Sequence, residues 1–151
     1  MLKQSFHEVA DKALVISQNS AKLITGDPGA YGTPKKSKDM RESFTDARGW
    51  YPVMVEGTNQ VIGLVEIERS SGPYMIEAIK AFQPQHHLAD QDLDRIFRDK
   101  PYVWHFKKAL AFETPLQVSP LKSSNDWASL STEDRARIKM AYQKKPGTLS
   151  L

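Results

Sequence analysis

Apolar positions along this chain switch between two periods, and the switches mark out its elements. Leu2, Phe6, Val9 and Ala10 fall at helical spacing, which predicts a short amphipathic helix at the start. Residues 13–16 form an unbroken apolar run (Ala-Leu-Val-Ile) expected to be a buried strand. Ser17 then caps a helix carrying Ala21, Leu23 and Ile24, and Gly26 stops it, because glycine takes the left-handed conformation at little cost. Three strands are expected next, over 50–56, 60–69 and 74–82, joined by Gly57-Thr58-Asn59 and Ser70-Ser71-Gly72-Pro73. In the second of them strict alternation puts Val61, Val65 and Ile67 on one face and Ile62 and Leu64 on the other.

Leu93, Ile96 and Phe97 suit a short helix over 90–99, ended by Pro101. Residues 102–106 alternate Tyr102, Trp104 and Phe106 against Val103 and His105, a strand pattern that makes Trp104 a core residue. Residues 112–118 read as a separate strand, placed by Pro115 at an edge or a bulge. Ser131-Thr132-Glu133-Asp134 opens a last helix through Ile138, Met140 and Tyr142, which ends before Pro146-Gly147. Short strands with a few helices as plugs predict an α+β domain built on a small mixed β-barrel.

Composition narrows the class. At 151 residues and 40% hydrophobic content, one core can form without disulfide or metal staples, so a single domain over 1–151 is expected. There is no cysteine, which removes thiolate metal sites and cysteine nucleophiles and fits a cytoplasmic location. No apolar run is long enough to cross a bilayer, so no membrane is expected. Lys and Arg number 21 against 18 Asp and Glu, a surplus of +3 that identifies a partner only if the charges are gathered in one place.

They are gathered over 35–48, where Lys35, Lys36, Lys38, Arg41 and Arg48 face Asp39, Glu42 and Asp46, with Tyr31, Trp50 and Tyr51 on either side. Positive charge neutralises phosphates while aromatic rings stack on splayed-out bases, so this mixture suits single-stranded nucleic acid. In an extended strand Asp39 and Arg41 share a face, and a bend at the loop exit brings Lys36 onto it. The bland alternative is an exposed basic strand with a surface ion pair of little worth. No Walker-type or dinucleotide glycine loop is present, and no cofactor is expected. His86-His87 with Asp90 lacks metal-ligand spacing, so no metal is expected either, and the roles of His86, His87 and His105 stay open. Arg135, Arg137, Lys139, Lys144 and Lys145, set against Glu133 and Asp134 at the last helix, read as a solvated face or a second phosphate track.

The order of these elements resembles the ASCH domain of the PUA-like superfamily over about residues 12–120. Its G-x-K-x-x-E-x-R segment reads here as Pro34 in place of Gly, Lys36, Asp39 as the acid, and Arg41. The Arg-Gly that precedes a strand is Arg48-Gly49-Trp50-Tyr51-Pro52-Val53, and the late strand pair is residues 102–106 and 112–116. The resemblance implies a PUA-like barrel whose cleft beside the motif strand accepts RNA, a nucleoside or a modified base. Within the family, one bacterial branch removes the acetyl group from the exocyclic amine of cytidine with a Lys, a Thr and a Glu, and a ribonuclease has been described. Lys36 matches that lysine; the threonine position falls on Asp39, leaving Ser37 as the substitute hydroxyl.

Three functions follow as expectations. The first is a domain binding RNA or a modified nucleoside in a basic cleft, with Lys36 and Asp39 catalytic if it is a metal-independent ribonuclease. Lys35, Lys38, Arg41, Arg48, Tyr31, Trp50 and Tyr51 would then hold the ligand, and single-stranded DNA is a further candidate. The second is a nucleoside amidohydrolase. The third is a non-catalytic nucleic-acid or protein interaction module.

Overall fold

The computed structural model describes residues 9–75 and 101–143. Eight strands form one sheet: β1 (Lys12–Ile16), β2 (Tyr31–Gly32), β3 (Lys38–Arg41), β4 (Gly49–Val55), β5 (Gln60–Ser71), β6 (Tyr102–Gln117), β7 (Lys122–Ser123) and β8 (Trp127–Ser129). The order is β2-β6-β5-β4-β1-β8-β7, with β3 also pairing β6, and β1 against β4 is the parallel pair. Helix α1 (Ala21–Thr25) follows a 3₁₀ turn, and α2 is Thr132–Gln143. The α+β expectation holds, and the pairing of the described strands leaves the barrel open rather than closed.

Local chemistry explains where the helices start and stop. The Ser17 side chain accepts from the Ser20 amide, and Gly26 ends α1 at φ 84°. Ser131 Oγ accepts from the Asp134 amide at 3.1 Å and caps α2. Each helix then seals one face of the sheet. Ile138 and Tyr142 of α2 pack with Ala13, Val15, Trp50, Met54 and Leu64, while Ile24 of α1 packs with Leu14, Ile16, Val53, Val65, Ile67 and Trp104.

Two expectations for the central strands are corrected. The segment 102–106 and all of 112–118 but Val118 belong to one continuous strand, β6, which crosses the polar pair Lys107-Lys108 without ending. Its ladder with β5 slips instead: Ala111 pairs Gly63 and Leu116 pairs Val61, so Pro115 lies within an irregularity, where its missing N–H costs no ladder bond. The same irregularity changes the phase of β5. Val61 packs in the α2-side core, whereas Val65 and Ile67 pack in the α1-side core, so the three do not share a face. Of the third expected strand, Tyr74 and Met75 are irregular and the rest lies outside the described residues, as do the helix expected over 90–99 and all but Val9 and Ala10 of the expected N-terminal helix.

Candidate functional site

The short strand β3 runs antiparallel to β6, with Asp39 paired to Trp104 and Arg41 to Tyr102. Asp39 and Arg41 therefore stand on the face that carries the Trp104 ring, and the Arg41 guanidinium lies 5.0 Å above it. The chain bends before β3, and the Lys36 amide donates to the Leu23 carbonyl at 2.8 Å, tying the bend to α1. That bend turns the Lys36 side chain inward, so Lys36, Asp39 and Arg41 converge.

The three form a buried network. Lys36 Nζ lies 3.2 Å from Asp39 Oδ1 and donates to Ser20 Oγ at 2.8 Å, and Ser17 Oγ donates to Ser20 in turn at 3.0 Å. Arg41 Nε and Nη2 both reach Asp39 Oδ2 at 2.8 Å. Its Nη1 reaches Asp126 Oδ1 at 2.8 Å, and Nη2 donates to the Val15 carbonyl at 2.8 Å. Asp126 sits in the turn between β7 and β8, which the Val15 amide holds through the Asp126 carbonyl at 2.9 Å. Burial by itself would raise the Asp39 carboxyl, but the Arg41 and Lys36 charges and their hydrogen bonds outweigh it and hold it below the usual carboxylate range. Burial likewise opposes the Arg41 charge, and Asp39 and Asp126 overcome it.

Above this network opens a cleft of about 380 Å³ lined by Val15, Ser17, Ser20, Lys36, Asp39, Met40, Arg41, Glu42, Ser43, Glu56, Asn125 and Asp126. Among the described residues that line it, four side chains are carboxylates (Asp39, Glu42, Glu56, Asp126) and two are cations, so the expected basic cleft is corrected to an acidic one. Strand geometry is the reason. Lys38 alternates to the opposite face, where it pairs with His105, and Lys35 lines a separate hollow beyond α1 with Tyr31 and Lys22. Arg48 turns back on its own loop, donating to the carbonyls of Thr45 at 3.2 Å and Ala47 at 2.7 Å.

The expected stacking residues are also committed to packing. Trp50 is 7% exposed with Tyr31 stacked on its ring at 6.3 Å, and Tyr51 packs on Trp127 at 5.1 Å, so none of the three lines the cleft. Trp104 is fully buried, as its alternation implied. On α2, Arg135 donates to the Val9 carbonyl and Arg137 to the Gln117 carbonyl, which commits both to tying the helix down.

The sequence reading missed Ser20, Glu56 and Asp126. Ser37 does not line the cleft; the hydroxyl that stands against Lys36 is that of Ser20. Asp126 lies 85 residues from Arg41, and no local pattern signals such a pair. Among the described residues no three His, Asp or Glu side chains converge as a cation site, and His86 and His87 lie outside them.

No protein-family model matches the chain, and no curated protein matches it. Solved structures do. The ASCH protein of Zymomonas mobilis superposes with a TM-score of 0.63 at 15% identity, covering 88% of this chain and 96% of that one. A tyrosine-to-phenylalanine mutant of that protein superposes with a TM-score of 0.65 at 13% identity, covering 84% of this chain and 94% of the other. A serine-to-alanine mutant of it gives 0.65 at 12% identity over 84% and 92%. The described residues therefore share the fold of that ASCH protein, the family that the sequence resemblance pointed to, with the barrel open rather than closed.

Proposed function

We propose that this chain is a nucleoside-binding protein of the ASCH type, with the cleft over Lys36, Asp39 and Arg41 as its binding site. The observation that supports it is the character of that cleft. Its volume of about 380 Å³ lies at the small end of the ~300–1,000 Å³ typical of small-molecule sites. Its two cations are already paired, and its net charge repels a phosphate chain. What it offers instead is fixed hydrogen-bonding groups: Ser17, Ser20, Ser43 and Asn125 for ribose and base oxygens, and Glu42 and Glu56 as acceptors for base amines. Ionised Asp39 keeps the Lys36 ammonium fixed without motion on binding.

A second reading, removal of an acyl group from a base amine, is favoured by one contact. Ser20 Oγ stands 2.8 Å from Lys36 Nζ, which restores the hydroxyl that Asp39 displaced from the family pattern. Ribose attack with Asp39 as proton acceptor is less favoured, because a carboxyl held below its usual range is a weak base.

Incubating the chain with free and acylated nucleosides and with labelled RNA, followed by native and product mass spectrometry, tests both readings. The expected result is retention of one or more nucleosides with intact RNA, lost by at least about 100-fold in Lys36→Met, a difference of roughly 2.7 kcal/mol. Retention of no nucleoside, or unchanged affinity in a folded Lys36→Met variant, would remove the cleft from the function.

A further inference from the structure

On the face of β6 turned away from the cleft, three strands place one residue each in a single row: Lys38 of β3, His105 of β6 and Arg69 of β5. Directly paired residues of antiparallel strands hold their Cβ atoms about 5 Å apart on one face, so two cations flank one imidazole. His105 is 7% exposed, whereas Arg69 is exposed. His105 Nε2 lies 2.7 Å from Ser71 Oγ, and the Tyr74 hydroxyl donates to that same oxygen at 2.8 Å. Burial, then the charges of Arg69 and Lys38, push His105 down to about 4, against a smaller opposing effect from Glu68 of β5. The ring is thus neutral at pH 7, with its Nε2 hydrogen-bonded to the Ser71 hydroxyl.

We propose that this row is a second binding site, independent of the cleft, that takes a phosphate group between Arg69 and Lys38. Two cations on either side of a titratable ring supply the charge and the N–H donors that a tetrahedral oxyanion needs. An anion there also reverses the balance on His105. The bound phosphate offsets the Arg69 and Lys38 charges and gives the ring an acceptor, so His105 takes up a proton and adds a further donor to the phosphate oxygens. Glu68, which lies between the paired residues Ile67 and Arg69, sets a limit by repelling the ligand. The face opposite an acid-lined cleft thereby provides the phosphate chemistry that the cleft lacks. A free phosphate, a nucleotide and a nucleic-acid backbone all present the same oxygens.

The test is an NMR titration of His105 in the full chain, in chloride and then with inorganic phosphate, a nucleoside monophosphate or a short oligoribonucleotide. Inorganic phosphate is expected to raise the midpoint from about 4 by at least about half a pH unit. Arg69→Gln is expected to shrink that rise while leaving the melting temperature in place. A response to the oligoribonucleotide at lower concentration than to either smaller ligand identifies a backbone phosphate as the natural occupant; the reverse order identifies a small phosphate. Where acid unfolds the chain before His105 titrates, the change in the His105 ring shifts at neutral pH on adding inorganic phosphate replaces the midpoint. A ring that responds to none of the three ligands, by midpoint or by shift, would overturn the proposal.

Discussion

Replacing Arg41 by Met is expected to cost about 3–5 kcal/mol of stability, the range for removing one partner of a buried ion pair. The guanidinium holds Asp39 on β3, Asp126 in the β7–β8 turn and the Val15 carbonyl on β1, and it covers the Trp104 ring. Methionine fills much of the volume and leaves all three oxygens without their donor. Asp39 would keep only Lys36 against the cost of its burial, and β3, four residues long and paired on one side, has little else to hold it to β1. At roughly 2–4 °C per kcal/mol for a chain of this size, the melting temperature should fall by about 6–20 °C. Asp126→Asn, which keeps a hydrogen-bond acceptor in a partly exposed position, should cost about 1 kcal/mol. Chemical denaturation of the two variants separates the effects. A loss under about 1 kcal/mol for Arg41→Met would mean that the network is decoration on a fold held elsewhere.

Gly63→Ala is expected to be at least as damaging, for a reason unrelated to charge. Gly63 sits where the β5–β6 ladder slips, and a Cβ built there overlaps the Leu110 carbonyl oxygen and lies 3.0 Å from the Leu110 carbonyl carbon and 3.1 Å from the Ala111 Cα. All three obstacles are backbone atoms of the longest strand pair, so relief requires separating the strands. A loss of more than about 3 kcal/mol follows, or failure to fold. Gly32→Ala is the matched control: its φ is +155°, and nothing lies within 4 Å of the added carbon. It should cost only about 1 kcal/mol of backbone strain. Equal melting temperatures for the two variants would show that β5 and β6 are not this close.

These two positions also mark how far the sequence could be read. Strands β1 and β4, the start of β5 and both described helices followed from apolar runs, alternation and Ser and Gly caps, because those signals are local. The length of β6 did not follow. Lys107, Lys108 and Pro115 break its pattern, and only its partners show that each break is a slip in register rather than an end. Of the site, the convergence of Lys36, Asp39 and Arg41 was legible from strand parity plus one bend. The sign of the cleft's charge was not: Glu56 and Asp126 come from distant elements, while Lys35, Lys38 and Arg48, neighbours in sequence, leave in three directions. A charge cluster in sequence becomes a charge cluster in space only if the backbone between its members keeps them on one face.

The claim that this cleft is made for a nucleoside, not for a phosphate chain, is tested most directly by competition. A nucleoside retained by the protein is displaced with increasing amounts of the unlabelled nucleoside or of its 5′-monophosphate, at low and at physiological salt. Four carboxylates against two cations predict that the monophosphate competes at least about tenfold more weakly, with the gap narrowing as salt screens the repulsion. A monophosphate that displaces the nucleoside as well as the nucleoside itself, or better, would contradict the account.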